Sequence, residues 1–283
     1  MTDHAPADRQ PTAGEALPDE SQPTRHCAVR RYADGHFTAL DDQVVTEARV
    51  ELVVNDDELR LALLCLPRQL PELAVGFLRG EGALRRGGEV ERIDIDQAGW
   101  TIRVRGAFDP DALDAIRRRW TWGTGCGGGG TSAQLNPDTY QPIALGLEVD
   151  AEAIVGLVRG FLGAMDLWKN TGGVHACALA SAGELLIVAE DVGRHNAFDK
   201  VIGRAVLDGL DTSDKIVLTT GRLSAEMVSK AVAARVPIVV GRGAVTALAI
   251  DLARKFGLTL VGFARAGRFN VYTGFERIVA GSR

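Results

Sequence analysis

The chain has 283 residues, of which 46% are hydrophobic and 24% are charged, and its formal net charge is −5. These proportions are typical of a folded protein, and at about 150 residues per domain the length predicts roughly two domains. The negative charge argues against bulk nucleic-acid binding, and no apolar run is long enough to span a bilayer. The first residues have neither a basic segment nor an apolar core, so we expect no secretory signal.

The first half predicts a tail followed by a small domain. Residues 1–25 are rich in Pro, Asp and Gln without apolar periodicity, which predicts a disordered tail. Residues 26–122 predict a small α+β domain with strands between 37 and 56, a hairpin at 93–104, and helices that begin near Pro71 and Asp109. Residues 123–145 are predicted to be a glycine-rich cysteine loop and linker.

The second half, residues 146–283, predicts an α/β domain. An amphipathic helix at 151–167 precedes two short strands, 175–180 and 184–189, which a turn joins as a hairpin. Apolar strands then alternate with helices as far as the strand at 258–263. Such alternation predicts right-handed crossovers and a largely parallel sheet covered by helices.

Each apolar strand of the second half ends in a segment that contains glycine and arginine. These segments hold Gly193, Arg194 and His195; Gly221 and Arg222; Gly241 and Arg242; and Phe263, Ala264, Arg265, Ala266, Gly267 and Arg268. Because the carboxyl ends of parallel strands meet at one edge, they predict a site for a phosphate-bearing ligand such as a nucleotide. The alternative is that these arginines are solvated loop residues.

Other polar residues of this half leave several roles open. Glu190, Asp191 and Asp199 could pair with the arginines or accept hydrogen bonds from a base or sugar. Of the two histidines in this half, His195 lies at a strand-to-helix junction and has the better claim to the site. It could act as a base for Cys126 or contact the ligand.

Cys126 lies among six glycines in the stretch Gly123–Gly130. Glycines give no packed surroundings, so Cys126 is predicted to be a thiol on a mobile arm, as a sulfur carrier requires. A P-loop is disfavoured because Thr131 stands where its lysine belongs, and a dinucleotide fingerprint is disfavoured because no apolar strand precedes it. A flexible linker with an incidental cysteine is the alternative.

The other cysteines predict a reducing compartment. Cys27, Cys65, Cys126 and Cys177 are widely spaced, which fits a cytoplasmic protein better than a disulfide framework. Cys65 and Cys177 lie in apolar runs and are predicted to be buried, whereas the position of Cys27 near the tail is ambiguous.

Several segments together resemble the formate dehydrogenase accessory sulfurtransferase family (FdhD) over residues 27–283. They are Glu190 to Lys200, Thr171 to Ala176, Thr219 to Arg222, Gly262 to Tyr272 and Pro71 to Gly82. The resemblance implies a cytidine-deaminase-like fold for the second half. The zinc signature of deaminases is missing, because His175-Ala176-Cys177 replaces H-x-E and Ile238 follows Pro237, so no metal site is expected.

The resemblance also implies an activity and partners. Members of the family accept sulfur from a cysteine desulfurase as a persulfide and pass it to the molybdenum cofactor, a bis-guanine-dinucleotide form, for formate dehydrogenase. Cys126 would hold the persulfide, residues 263–268 would contact the cofactor, and the protein would be a cytoplasmic homodimer.

One residue departs from the pattern of the family. The loop of the family typically reads Cys-Gly-x-Cys-Gly, and Gly129 replaces its second cysteine. That departure favours one alternative, a chaperone that binds the cofactor without carrying sulfur. A nucleotide hydrolase is a weaker alternative, because the zinc ligands and the P-loop lysine are both missing.

Overall fold

The computed structural model describes residues 22–85, 90–96, 100–119 and 140–280. The predicted tail up to residue 21 lies outside the described residues, as does Cys126 with its glycine-rich loop. The first strand begins at Thr24, inside the predicted tail, because Thr24 and Arg25 pair with Val45 and Val44. No helix within the described ranges combines the length and the hydropathy that a membrane span requires.

The N-terminal half consists of a hairpin and a small α+β unit. Its elements are β1 (Thr24–Ala33), β2 (His36–Val45), β3 (Ala48–Val54), β4 (Leu59–Cys65), α1 (Leu70–Gly80), β5 (Val90–Asp96), β6 (Thr101–Gly106) and α2 (Pro110–Arg119). β1 and β2 pair only with each other, while the other strands form a sheet in the order β4-β3-β6-β5. The predicted hairpin is confirmed as β5–β6. Leu52, Leu73 and Ile102 are among the residues of the core.

The C-terminal half is built on one mixed sheet. Its elements are β7 (Val149–Asp150), α3 (Ala151–Gly163), α4 (Asp166–Thr171), β8 (His175–Ala180), β9 (Leu185–Asp191), α5 (Arg194–Leu207), β10 (Ile216–Thr219), α6 (Ala225–Ala233), β11 (Ile238–Gly241), α7 (Ala247–Lys255), β12 (Thr259–Arg265), β13 (Arg268–Thr273), a 3-10 turn (Phe275–Arg277) and β14 (Ile278–Val279). The sheet order is β13-β12-β11-β10-β8-β9.

The strand directions modify the predicted parallel sheet. β10, β11 and β12 are parallel neighbours, but β8 is antiparallel to both β10 and β9. β13 is antiparallel to β12 because a tight turn joins them. β9 therefore points the same way as β10–β12, and the carboxyl ends of these four strands lie at one edge. The mixed α/β class is as predicted, and the cytidine-deaminase-like assignment stays a prediction.

Both faces of this sheet are covered. Along β8, Cys177 and Leu179 belong to the core beneath α5 and α6, whereas Ala176 and Ala178 belong to the core beneath α3. This alternation is the two-residue period of a strand buried on both sides. Cys65 and Cys177 are fully buried, as predicted, and Cys27 is exposed on β1.

One helix pair joins the two halves. α1 crosses α5 at two glycines: a Cβ at Gly76 would lie 1.7 Å from the Asp199 carbonyl oxygen, and one at Gly203 would lie 1.8 Å from the Glu72 carbonyl oxygen. Beside the crossing, the buried Lys230 Nζ lies 2.9 Å from Asp199 Oδ2 and 3.2 Å from Glu81 Oε1. At the crossing the two backbones touch directly, which leaves no room for a side chain at Gly76 or Gly203.

Candidate functional site

The predicted strand-end segments meet at one edge of the sheet. The backbone ties them together: the Arg242 amide donates to the Thr219 carbonyl at 2.9 Å, and the Phe263 amide donates to the Gly243 carbonyl at 3.1 Å. A cleft of about 390 Å³ opens at this edge, and its lining includes Trp168, His175, Thr220, Arg242, Gly243 and Arg265. The amino end of the antiparallel β8 brings His175 to the same place.

The cleft is rich in cationic donors. The Arg242 guanidinium carbon lies 5.3 Å from the centroid of the Trp168 ring, a distance suited to a cation–π contact. Burial, and then the charge of Arg265, lowers the pKa of Arg242. The Nε atoms of Arg194 and Arg242 are buried and have no hydrogen-bond partner among the described residues. Buried N–H groups without acceptors suit an anionic ligand.

His175, rather than His195, is the histidine of the cleft. Its Nδ1 lies 3.1 Å from Thr220 Oγ1. Burial lowers its pKa, and the charges of Arg194 and Arg222 lower it further, so the ring is neutral at pH 7. The sequence favours His195 because it follows a strand, whereas His175 begins one. His175 reaches the cleft because β8 runs antiparallel to β10.

His195 lies on the side of α6. Its Nε2 is 3.2 Å from Glu226 Oε2, and it is not among the residues that line the cleft. Burial, followed by the charges of Lys230 and Arg194, lowers its pKa to about 3. The neutral imidazole lies between α5 and α6, and its buried Nε2 makes no hydrogen bond among the described residues.

The glycines of the strand ends mostly shape the backbone. Gly193 is the N-cap of α5, and its amide donates to Asp191 Oδ1 at 2.9 Å. The Gly221 amide donates to Thr219 Oγ1 at 3.1 Å. A Cβ at Gly241 would lie 2.7 Å from Leu223 Cγ, so this strand end packs tightly below the cleft.

The segment 263–268 reaches the cleft mainly through Arg265. Arg265 Nη1 donates to the Arg242 carbonyl at 2.8 Å. Phe263 has φ 52° at a β-bulge and a side chain 44% exposed. The side chain of Ala264 is buried in the core below the sheet, and the Ala266 carbonyl accepts a bond from Arg159 Nε at 2.8 Å. Gly267 is exposed in the following turn, and Arg268 is exposed at the start of β13.

The acidic residues do not pair with the cleft arginines, so this part of the sequence interpretation is wrong. Asp191 Oδ2 lies 2.6 Å from Lys200 Nζ, with both side chains fully buried. The same carboxylate oxygen accepts the Leu66 amide at 3.1 Å. Asp199 binds Lys230, as described above. These buried carboxylates connect the two halves of the chain. Asp191 accepts the Leu66 amide, and Lys230 binds both Asp199 and Glu81.

Glu190 binds the backbone at the start of α4. Its two carboxylate oxygens accept the backbone amides of Leu167 and Trp168 at 3.1 and 2.8 Å. This fixes the start of α4 and thereby the Trp168 ring over Arg242. Sequence reasoning missed Trp168 because it read residues 151–167 as one continuous helix. Across the described ranges, no three His, Cys, Asp or Glu side chains come together as a set of metal ligands.

Comparisons with known proteins agree with this architecture. The model of the FdhD/NarQ family matches residues 45–279. A Bacillus subtilis protein named sulfur carrier protein FdhD is 35% identical over 252 residues, which cover 88% of this chain and 95% of the relative. A Listeria innocua protein of the same name is 36% identical over 254 residues and covers 88% and 97% of the two chains.

A solved structure is similar as well. The crystal structure of a formate dehydrogenase accessory protein from Desulfotalea psychrophila superposes with a TM-score of 0.75 and is 28% identical in sequence. The match covers 91% of this chain and 100% of the other. With the family model spanning most of the chain and curated relatives above 30% identity, the chain belongs to the FdhD/NarQ family.

Proposed function

We propose that this protein carries sulfur to the molybdenum cofactor of a formate dehydrogenase. It accepts the sulfur from a cysteine desulfurase as a persulfide on Cys126 and delivers it to the bis-guanine-dinucleotide form of the cofactor, acting in the cytoplasm as a homodimer. Support comes from family membership, from relatives named sulfur carrier protein FdhD and from a structural neighbour described as a formate dehydrogenase accessory protein.

The observation that carries the proposal is the cationic cleft. A pyrophosphate needs several N–H donors in a small space, and Arg242 and Arg265 line the cleft, while Arg194, with a buried Nε, lies against Gly221 at the same strand ends. The Trp168 face suits a flat ring such as guanine or a pterin. A volume of about 390 Å³ lies in the range of small-molecule sites.

The sulfur chemistry has two balanced steps. In the first, the Cys126 thiolate attacks the outer sulfur of the donor persulfide; a new S–S bond forms, the old one breaks, and the donor cysteine leaves as a thiolate with no net oxidation. In the second, an external thiolate attacks Cys126 Sγ; the S–S bond of the persulfide breaks, the outer sulfur leaves at the oxidation level of sulfide, and Cys126 is left in a mixed disulfide with that thiol. A second external thiolate then displaces the Cys126 thiolate, so the two thiols supply the two electrons by ending as a disulfide. These thiols are external because Gly129 leaves the loop without a second cysteine.

The fold of the C-terminal half is part of this proposal. We infer a cytidine-deaminase-like domain, supported by the family resemblance and by a mixed sheet in which β8 is the antiparallel member between β9 and β10. In this domain the ligand site uses strand-end arginines in the place of metal ligands.

Mass spectrometry tests the sulfur step. The protein is incubated with a cysteine desulfurase and cysteine, and intact mass and peptide mapping locate any added sulfur. We expect one sulfur on the Cys126 peptide that a reductant removes, and none in Cys126→Ser. Cys27→Ser is the matched control because Cys27 is exposed; Cys65 stays unmodified because burial raises its pKa to about 12.

A binding measurement separates the alternatives. GDP is titrated into the parent, Arg242→Gln and the exposed control Arg254→Gln. We expect Arg242→Gln alone to lose about tenfold in affinity, since a charge-assisted bond contributes roughly 1.5 kcal/mol or more. If the parent binds GDP but gains no sulfur on Cys126, the cofactor chaperone is favoured. If, in addition, Gly129→Cys does gain a persulfide, the parent lacks sulfur transfer because its loop lacks the second cysteine. Absence of both activities refutes the proposal.

A further inference from the structure

The β1–β2 hairpin, residues 24–45, contributes no residue to the lining of the cleft. Every one of its strand residues is exposed or half-buried, and its two strands pair only with each other among the described strands. A two-stranded ribbon of this kind is only marginally stable in water. A surface that covers one of its faces would therefore stabilise it.

One face of the hairpin is anchored to the rest of the protein. Val45 belongs to this face, and a Cβ at Gly173 would lie 2.8 Å from Val45 Cγ1. His26 and Asp41 lie on the same face, because successive side chains of a strand alternate between its two sides. His26 Nδ1 is 2.8 Å from Asp41 Oδ2, so the polar groups of the anchored face have partners within the hairpin.

The opposite face carries an apolar pair between two unlike charges. Its three successive cross-strand pairs are, from the base towards the tip, Cys27 with Asp42, Val29 with Leu40, and Arg31 with Thr38. Val29 and Leu40 are half-buried, whereas Arg31 and Asp42 are exposed. Asp42 Oδ1 accepts the Gln43 amide at 3.1 Å. Within the described ranges, neither Arg31 nor Asp42 forms an ion pair, so both charges are available to a partner.

The order of charges on this face is complementary to itself. A twofold axis that crosses the strands at the level of Val29 and Leu40 exchanges the level of Asp42 with that of Arg31. When two copies pack face to face about this axis, the apolar pairs meet at the centre. Each Arg31 then comes beside Asp42 of the partner subunit. Closed twofold contacts require a patch that matches its own copy in this way.

Pairing through the open strand edges is disfavoured by the same charges. β1 carries Arg25, Arg30 and Arg31, and β2 carries Asp41 and Asp42. A twofold edge contact pairs a strand with its own copy, so each edge would align like charges, which destabilise paired strands. Face-to-face packing is the arrangement that brings unlike charges together.

We propose that the hairpin face with Val29 and Leu40 binds the same face of a second copy of this chain. The inference rests on the homodimer of the proposed function and names the surface that forms it. Two ten-residue strands give a face about 33 Å long and about 10 Å wide. That is about 330 Å² per copy, well below the roughly 800 Å² of a standard interface. The dimer should therefore dissociate on dilution, with the Arg31–Asp42 pairs contributing much of its stability.

Sedimentation velocity across a dilution series of the full-length protein tests the surface. We expect the parent to form a dimer that Arg31→Asp weakens about tenfold or more, because carboxylates then face each other across the axis. The matched control is Arg254→Asp in the last turn of α7. It changes the net charge by the same amount and should dissociate like the parent.

A charge swap gives a sharper readout. Arg31→Asp/Asp42→Arg exchanges the two charges and re-forms both pairs across the axis, so it should restore the dimer that Arg31→Asp weakens. A merely structural role of either residue predicts no such rescue. Leu40→Asp places two carboxylates at the apolar centre and should leave a monomer. A double variant that dissociates like Arg31→Asp would overturn the proposed packing.

The outcomes separate this surface from the sulfur-carrier function. A dimeric parent that Arg31→Asp and Leu40→Asp leave unchanged would overturn the hairpin surface alone. A parent that stays monomeric would overturn both the surface and the homodimer. Sulfur on the Cys126 peptide is measured in the same samples, so its absence counts against the proposed function and not against the hairpin contact.

Discussion

Replacing Gly203 by alanine should separate the two helices that join the halves of the protein. The new Cβ would lie 1.8 Å from the Glu72 carbonyl oxygen and 2.7 Å from the Gly76 amide nitrogen. Backbone cannot rotate away as a side chain can. To bring this contact from 1.8 Å to the ordinary 3.4 Å, α1 and α5 must move apart by about 1.6 Å.

The expected cost follows from two opposing effects. Overpacking in a close-packed interface costs about 1–3 kcal/mol, and the shift also weakens the buried packing around Gly76. Alanine regains about 0.5–1 kcal/mol because it is a better helix former than glycine. We expect a net loss of about 2 kcal/mol, which lowers the melting temperature by about 4–8 °C for a chain of this size.

The matched control is Gly156→Ala in α3. Gly156 is also helical, but nothing lies within 4 Å of the point where its Cβ would stand, so this variant should gain about 0.5–1 kcal/mol. Urea unfolding and thermal melts of both variants provide the measurement. If Gly203→Ala is as stable as Gly156→Ala, the helix crossing does not depend on backbone contact and the reasoning is refuted.

Three further predictions concern single side chains. Lys200→Met should cost about 3–5 kcal/mol in urea unfolding because it leaves the buried Asp191 carboxylate without its partner; a loss below about 1 kcal/mol would contradict this. The pKa of His195 falls from 6.5 to about 3 in the folded protein, so the free energy of unfolding decreases as the pH drops below 6.5. His195→Gln should remove up to about 2 kcal/mol of the stability lost between pH 7 and pH 5. This value is an upper bound because the charge of Glu226 opposes the lowering of the pKa. Equal losses in variant and parent would refute it. Trp168→Ala should weaken GDP binding about tenfold, the effect of one lost stacking contact, when binding is measured well below the melting temperature of the variant, since Trp168 also packs against the core; unchanged binding would remove Trp168 from the site.

The sequence predicts those elements whose apolar pattern lies within the element itself. The β5–β6 hairpin alternates, and the helices of the second half carry apolar faces, so both are as expected. β1 was missed because it is exposed on both faces and pairs only with β2, which leaves no two-residue apolar period. β4 reads Leu-Arg-Leu-Ala-Leu-Leu-Cys, an apolar run that periodicity alone does not assign to strand or helix.

The candidate site was predictable only in part. The alternation of strands and helices implied that Arg242 and Arg265 share one edge, and they do line one cleft. His175 depends on the direction of β8, and Trp168 depends on a break between α3 and α4. Asp191 also accepts the amide of Leu66, and Asp199 pairs with Lys230; both partners are distant along the chain, so finding them requires the three-dimensional fold.

The eleven-residue run Glu190–Lys200 contributes side chains both to the junction between the two halves and to the cleft. Asp191 and Lys200 hold the backbone at Leu66, while Glu190 fixes the amides that place Trp168. Arg194, at the start of α5, offers a buried Nε that no described residue accepts. A substitution of a junction residue in this run therefore disturbs the cleft through the backbone. Loss of ligand binding in an Arg194 variant therefore assigns this arginine to the site only when unfolding measurements show that the junction is intact.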